Sequence, residues 1–402
     1  MSSTFPPSSP ESSTEASEFP VDRDAAVRSR YSDGASRQVP ELCCPVEYDT
    51  QYLTAIPEAV LDRDYGCGDP SRHVRKGETV LDLGSGAGKI CFIASQIVGP
   101  EGRVLGVDMN DDMLGLARES APLVAERIGH DNVTFVKARI EDLGLDRAAL
   151  DVWLAENPVR SDAELSLLEA HIELQRSSAP LIADDSVDVV LSNCVLNLVL
   201  PERKGQLFEE IFRVIKPGGR AVISDIVSDE DIPQHLADDN ELWSGCISGA
   251  WREDLFCKAF EDAGFQGITI LERAAEPWQT VEGIEFRSVT IEATVGESGP
   301  CYEQNQAVIY KGPWKSVQDD DGHTLHRGQP MAVCGRTYRF MTSGPHKEHV
   351  IGIEPREPVA ETDAQLFACT GDRVRAAGEI KGSDFKVTSA APSDCCEPGE
   401  CC

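Results

Sequence analysis

The stretch Thr79-Val80-Leu81-Asp82-Leu83-Gly84-Ser85-Gly86-Ala87-Gly88 most constrains the architecture of this chain. An apolar run of strand length ends in three glycines at alternate positions, and an apolar helical stretch, Ile90 to Val98, follows at once. Glycine lets the backbone turn sharply and lets another group approach it closely. A strand that turns directly into a helix belongs to a strand–helix–strand unit, and the pattern repeats downstream. Arg103 to Asp108 reads as a second strand, and Asn110, Asp111 and Asp112 supply caps for the helix after it. Asn132 to Val136 reads as a third strand. Ser186 to Ser192 is a near-continuous apolar run of the kind buried on both faces. The helical stretch Phe208 to Ile215 stops at Lys216-Pro217-Gly218-Gly219, and Ala221 to Asp225 is a fifth strand. The expected fold class is α/β, a doubly wound, Rossmann-like, mostly parallel sheet.

Around this unit the chain divides by composition. Residues 1–22, rich in Ser, Thr, Pro and Glu, lack the apolar content that repays ordering and read as a disordered tail. The sheet-forming domain spans 23–277 and carries a helical insertion at 145–180 between the third and fourth strands. From about 278 the text turns to short β-like runs: Phe286 to Val295, Gln306 to Tyr310 and Met331 to Tyr338. These mark a smaller β-rich C-terminal domain, 278–382, followed by a flexible Cys-rich tail, 383–402. The acid runs 229–231 and 319–321 read as solvated loops.

With 37 Lys and Arg against 69 Asp and Glu, the formal net charge is −32. Such a surface repels phosphate backbones and anionic lipids, so neither nucleic acid nor membrane is expected as a partner. No apolar run has the length of a membrane span. The N-terminus has neither the basic start nor the apolar core of a secretory signal, which makes the cytoplasm the expected compartment. There the 14 cysteines read as ligands or nucleophiles rather than as disulfide staples.

The glycine turn is G-x-G-x-G, not the dinucleotide fingerprint G-x-G-x-x-G, and it lacks the Lys-Ser or Lys-Thr of a phosphate loop. Asp108 ends the second strand at the spacing from which a carboxylate reaches ribose hydroxyls. A nucleoside-like cofactor without a pyrophosphate fits both features. The segments D-L-G-S-G-A-G, G-V-D and K-P-G-G resemble the class I S-adenosylmethionine (SAM) dependent methyltransferases. That resemblance implies that Asp82, Gly84 and Gly86 border the methionine part of SAM and that Asp108 holds the ribose. It also implies that Met109 packs on the adenine, that Ile140 and Glu141 border its edge, and that Asn193 lies beside the cofactor.

Three cysteines stand in unusual settings. Cys194 follows Ser192-Asn193 at the carboxyl end of the fourth strand, where ligands of such sheets bind. Cys67 sits between two glycines in Tyr65-Gly66-Cys67-Gly68, and Cys246 lies in Trp243-Ser244-Gly245-Cys246-Ile247-Ser248-Gly249. Converging thiolates suit a soft, thiophilic centre, and three rather than four leave a lone pair free on an atom such as trivalent arsenic. The segments Y-G-C-G, S-N-C-V-L-N-L-V and W-S-G-C-I-S-G-A resemble the arsenite SAM methyltransferases. This resemblance implies arsenic-binding thiols at Cys67, Cys194 and Cys246. It places a redox cysteine at Cys44 or its neighbour Cys43, and Tyr65 on the cofactor site. It further implies methyl transfer to As(III), followed by reduction through protein thiols reset by thioredoxin or glutathione. Thiolate binding would release protons, so arsenite affinity is expected to rise with pH. Two other readings stay open: methylation of another small molecule, such as a thiol or lipid quinone, with structural cysteines, and a non-catalytic arsenic or soft-metal binder. The tail cysteines 395, 396, 401 and 402 could capture arsenite. Cys91 and Cys257 read as core, and Cys301 and Cys334 have no assigned role.

Overall fold

The computed structural model describes residues 23–36, 46–63, 65–344 and 346–382. Cys43, Cys44, the N-terminal tail and the Cys-rich tail lie outside the described residues. Five parallel strands form the centre: β1 (Thr79–Leu83), β2 (Arg103–Asp108), β3 (Val133–Lys137), β4 (Val187–Asn193) and β5 (Ile215–Ser228). The sheet runs β3-β2-β1-β4-β5 and continues through two later strands, with order reversal between β1 and β4. The expected α/β class is therefore the observed one. A two-residue strand, β6 (Trp251–Arg252), adds to the end of β5.

Helices cover both faces. On one face Lys204–Val214 and Glu253–Asp262 bury Leu207, Phe208, Ile211, Phe256 and Phe260. Phe208 and Phe260 meet edge to face with ring centres 4.9 Å apart. On the other face Lys89–Val98 and Asp111–Ile128 bury Phe92, Ile93, Met113 and Leu114 against β1 and β2. The capping residues act locally as their chemistry dictates. Asn110 Oδ1 accepts from the amides of Asp112 (3.0 Å) and Met113 (3.1 Å), satisfying donors that the first turn leaves unpaired. Residues 145–180 contain two helices, Arg147–Glu156 and Asp162–Ser178. The second has no buried residue and is tied down by Arg176, whose guanidinium meets Asp142 at 3.0 and 2.8 Å.

The segment after residue 278 differs from its sequence reading. β7 (Gln266–Arg273), β8 (Gln279–Val281) and β9 (Ile284–Thr294) all join the central sheet, and β9 runs antiparallel to β5 along nine paired positions. The run Phe286–Val295, expected beyond the domain break, is thus built into the main sheet. Its alternation encodes a strand but not the partner, which is a long-range choice. Farther on, β10 (Ala307–Tyr310), β13 (Pro330–Ala332) and β14 (Val350–Ile353) make a three-stranded sheet. β11 (Ser316–Gln318) and β12 (Thr324–His326) make a hairpin. Within Met331–Tyr338, expected as strand, the chain turns helical at Gly335. The 319–321 acids are not simply solvated: Asp321 accepts from Gln266 Nε2 at 2.9 Å, and Asp319 meets the His323 ring at 2.8 Å. Among the described residues no helix is long and apolar enough to cross a membrane.

Candidate active site

A cavity opens at the carboxyl ends of β1, β2 and β4. Its floor is the glycine turn, where Gly84, Gly86 and Gly88 all hold left-handed φ values of +70°, +51° and +92°. Nothing lies within 4 Å of the place where a Cβ on Gly86 would stand, so this backbone faces open space. Asp108 accepts from the Gly86 amide at 2.9 Å and the Asn110 amide at 2.8 Å, binding the turn to the end of β2. Tyr65, Asp82, Met109, Ile140, Glu141 and Asn193 line the same cavity, as does Cys194. Glu141 is held by Arg203 (3.1 Å) and Arg139 (3.3 Å).

Cys194, which lines the cavity, is one of three neighbouring buried cysteines. Cys67, Cys194 and Cys246 are all buried and belong to one apolar cluster with Ile226, Leu236, Ile247, Ile284 and Phe286. The sulfurs of Cys67 and Cys194 and a carboxylate oxygen of Asp225 lie within 4.8 Å of one another. The Cys246 thiol donates to the Cys194 carbonyl at 3.2 Å. Cys194 and Cys246 both adopt φ of +63°. Left-handed backbone costs a non-glycine residue about 1–3 kcal/mol and persists where the surroundings over-determine it, typically at functional sites. Here the surroundings are visible: the Cys194 amide donates to Ser224 O (2.8 Å), and the Asn197 amide Nδ2 donates to Ile226 O (2.7 Å) and Cys246 O (3.2 Å).

The glycines flanking Cys67 are explained by close approach. A Cβ on Gly66 would stand 2.1 Å from Asn193 Nδ2, and one on Gly68 would stand 2.6 Å from Ser224 Oγ. Asn193 grips this loop. Its Oδ1 accepts from the amides of Cys67 (2.9 Å) and Gly68 (3.1 Å), while Nδ2 donates to Gly68 O (2.7 Å). Asn193, expected beside the cofactor, therefore lines the cavity but spends its amide on positioning Cys67.

Several residues around the site carry no local sequence signal. The helix Arg23–Ser36 closes over it: Tyr31 Oη approaches Cys246 Sγ at 3.9 Å, and Arg30 donates to Glu241 O and Ser244 Oγ, each at 2.9 Å. At the cavity's other end Asn110 Nδ2 donates to Ser32 Oγ at 3.1 Å. Asp225 is fully buried beneath the thiols, and burial pushes its carboxyl up to about 6. Its partner in charge is Lys204, brought down to about 8 by burial; Lys204 sits 4.5 Å over the Trp251 ring. Asp82 is pushed up to about 7 by burial, despite the Cys91 thiol donating to it at 3.2 Å. Cys246 lies well above the ordinary thiol range, first through its contact with Cys194 and then through burial.

These features test whether SAM fits. The Ser85 hydroxyl lining the cavity is buried with no hydrogen-bond partner among the described residues. Asp82 is a buried carboxyl that a cation would restore to its charged form. The cavity runs from the glycine turn past Asp108 and Met109 in one direction and to Cys194 in the other. An amino-acid head, a ribose and a sulfonium between them match that donor set.

Fold and site together define a class I SAM-dependent methyltransferase. The family model described as Methyltransferase domain matches residues 74–177 and 163–264, and a Domain of unknown function (DUF8838) matches 297–385. The chain is 31% identical over 315 residues to the arsenite methyltransferase of Aquipseudomonas alcaligenes, covering 74% of this chain and 80% of that one. It is 34% identical over 225 residues to the arsenite methyltransferase of Halobacterium salinarum, covering 56% of this chain and 46% of the other. The crystal structure of an arsenic (III) S-adenosylmethionine methyltransferase from Chlamydomonas reinhardtii superposes with a TM-score of 0.53 at 26% identity, covering 79% of this chain and 99% of that chain. The chain belongs to the arsenite methyltransferase family.

Proposed function

We propose that this enzyme transfers the methyl group of SAM to trivalent arsenic held by Cys67, Cys194 and Cys246. The observation that carries the reading is the placement of Cys194. Its sulfur faces those of Cys67 and Cys246 in a buried cluster, while the residue itself lines the cavity shared with Gly84, Gly86 and Asp108. In this reading Gly84, Gly86 and Asp82 hold the methionine part of the cofactor, Asp108 the ribose, and Met109, Ile140 and Glu141 the adenine. Tyr65 offers an aromatic face near the sulfonium.

The cofactor supplies an electrophilic methyl group on sulfur. Arsenous acid exchanges its three hydroxyls for three protein thiolates. Each As–S bond formed breaks an As–O bond, and the thiol proton leaves with the hydroxide as water. Because Cys246 and Cys194 are held above the ordinary thiol range, they enter as neutral thiols and the exchange releases no net protons. Arsenite affinity should then be flat below the thiol range rather than rise with pH as expected from the sequence, because the hydroxide leaving arsenic takes up each thiol proton; thiols already ionised would make affinity fall with pH. Held as a pyramid, arsenic presents its lone pair to the methyl group, and positioning supplies most of the acceleration. No base is needed, since the nucleophile carries no proton. Arsenic formally gives up two electrons, which two thiols return by becoming a disulfide; thioredoxin or glutathione would reset it. Cys44 is the candidate relay thiol.

The test incubates the full chain with SAM, arsenite and a thiol reductant and separates arsenic species by mass. Methylated arsenic from the wild type, lost in Cys194→Ser and Cys246→Ser with SAM binding retained, is expected. Cofactor binding without any methylarsenic, or full activity in Cys194→Ser, would overturn the proposal.

A further inference from the structure

A second group of thiols lies outside the cavity, in the segment that follows the central sheet. Cys301, Cys334 and Cys369 come from three separate stretches, and their sulfurs lie within 4.8 Å of one another. The backbone holds them there. The Phe367 amide donates to Cys301 O at 2.8 Å, Tyr302 bridges to Leu366, and the Gly335 amide donates to Tyr302 O at 3.2 Å. Cys334 is buried, whereas Cys301 and Cys369 are half-buried, which leaves an approach from solvent.

One thiol of the cluster, Cys334, is held toward the thiolate, whereas burial pushes Cys301 and Cys369 up. Cys334 is the N-cap of the helix Gly335–Ser343, and its sulfur accepts from the Thr337 amide at 3.4 Å, with the Thr337 hydroxyl 3.2 Å away. Burial raises the Cys334 thiol, but the Thr337 groups and the two neighbouring thiols outweigh this and hold it below its ordinary value. Cys301 is raised, first by burial, which the charge of Arg336 on the first turn of the same helix offsets only in part. Metal–thiolate bonds of about 2.3 Å place ligand sulfurs roughly 3.8 Å apart, so closing the cluster on an ion asks for movements of about 1 Å. Among the described residues the set has no fourth member, whereas a closed structural zinc site needs four.

We propose that Cys301, Cys334 and Cys369 form a second site for a trivalent thiophilic metalloid, As(III), separate from the methyl-transfer site. The choice of arsenic rests on the function proposed above; three converging thiols independently point to a soft, three-coordinate ion. Arsenous acid would bind by exchange of three hydroxyls for three thiolates with release of three waters, and arsenic stays trivalent, so no oxidant or reductant takes part.

The experiment uses the full chain with Cys67, Cys194 and Cys246 replaced by Ser, reduced with a phosphine. It is loaded with sodium arsenite, freed of unbound arsenic and assayed for arsenic per chain. Adding Cys334→Ser or Cys369→Ser should lower the content by one arsenic per chain. Serine is itself a good N-cap, so Cys334→Ser keeps the helix, and the half-exposed Cys369 provides a second variant independent of that cap. In the chain with its active-site thiols intact, Cys334→Ser should methylate at a rate within twofold of the wild type. Arsenic content unchanged by both substitutions would overturn the proposal, as would a parallel zinc loading that responds to them while arsenite loading does not. Because the readout is bound arsenic, it holds even if the chain fails to methylate arsenite.

Discussion

Gly66→Ala offers the sharpest test of how the Cys67 loop is held. Gly66 does not use a positive φ, so alanine carries no backbone penalty there, and any cost is steric. The new Cβ would stand 2.1 Å from Asn193 Nδ2 and 2.6 Å from its Cγ, far inside contact distance. The Asn193 side chain must leave, abandoning bonds of 2.9, 3.1 and 2.7 Å to the Cys67 and Gly68 backbone. Each polar group left unpaired in a buried setting costs about 1–3 kcal/mol. The loss of the seated loop should therefore amount to roughly 3–9 kcal/mol, reduced where water replaces the amide. At about 1.4 kcal/mol per factor of ten, the equilibrium constant for seating Cys67 falls at least about a hundredfold. The assay is kcat/KM for arsenite together with the melting temperature, in a cycle with Asn193→Ala. The two changes remove the same contacts, so the double variant should be no worse than Asn193→Ala alone. Costs that add, or a Gly66→Ala enzyme within about 0.5 kcal/mol of the wild type, would refute the clamp.

Three further outcomes concern Asp225, Gly249 and Gly86. The folded-state carboxyl of Asp225 lies near 6, above its ordinary value, so it contributes stability that is present below about pH 4 and lost as pH rises to about 6. The shift corresponds to about 3 kcal/mol. Asp225→Asn should remove that slope in melting temperature between pH 4 and 7, and an unchanged slope would place the titration elsewhere. Gly249→Ala would bring a Cβ to 1.9 Å from the Asn197 carbonyl oxygen, a backbone atom that cannot swing away. It should cost stability and methyl transfer together, whereas Gly86→Ala meets no neighbouring atom and should cost only the strain of its left-handed backbone (φ +51°), about 1–3 kcal/mol, together with a loss of SAM affinity measured by calorimetry.

Local pattern was enough to read the frame of this protein. An apolar strand, a glycine turn and an apolar helix repeat in order, and each depends on neighbours a few residues away. The parallel sheet and its carboxyl-end cavity were legible for that reason, and so were Asp108 at the end of β2 and Cys194 at the end of β4. What the sequence could not convey lies in contacts between distant segments. The alternation of Ile284–Thr294 marks a strand, yet only the tertiary structure pairs it with β5. The glycines around Cys67 are visible in the sequence, but the Asn193 and Ser224 side chains that require them lie more than a hundred residues away. Asp225 and Lys204 read as ordinary polar residues until burial shifts both. Cys301, Cys334 and Cys369 have no motif spacing at all. Strand and helix periods are properties of the local chain, whereas burial, close approach and the convergence of thiols are properties of the folded packing.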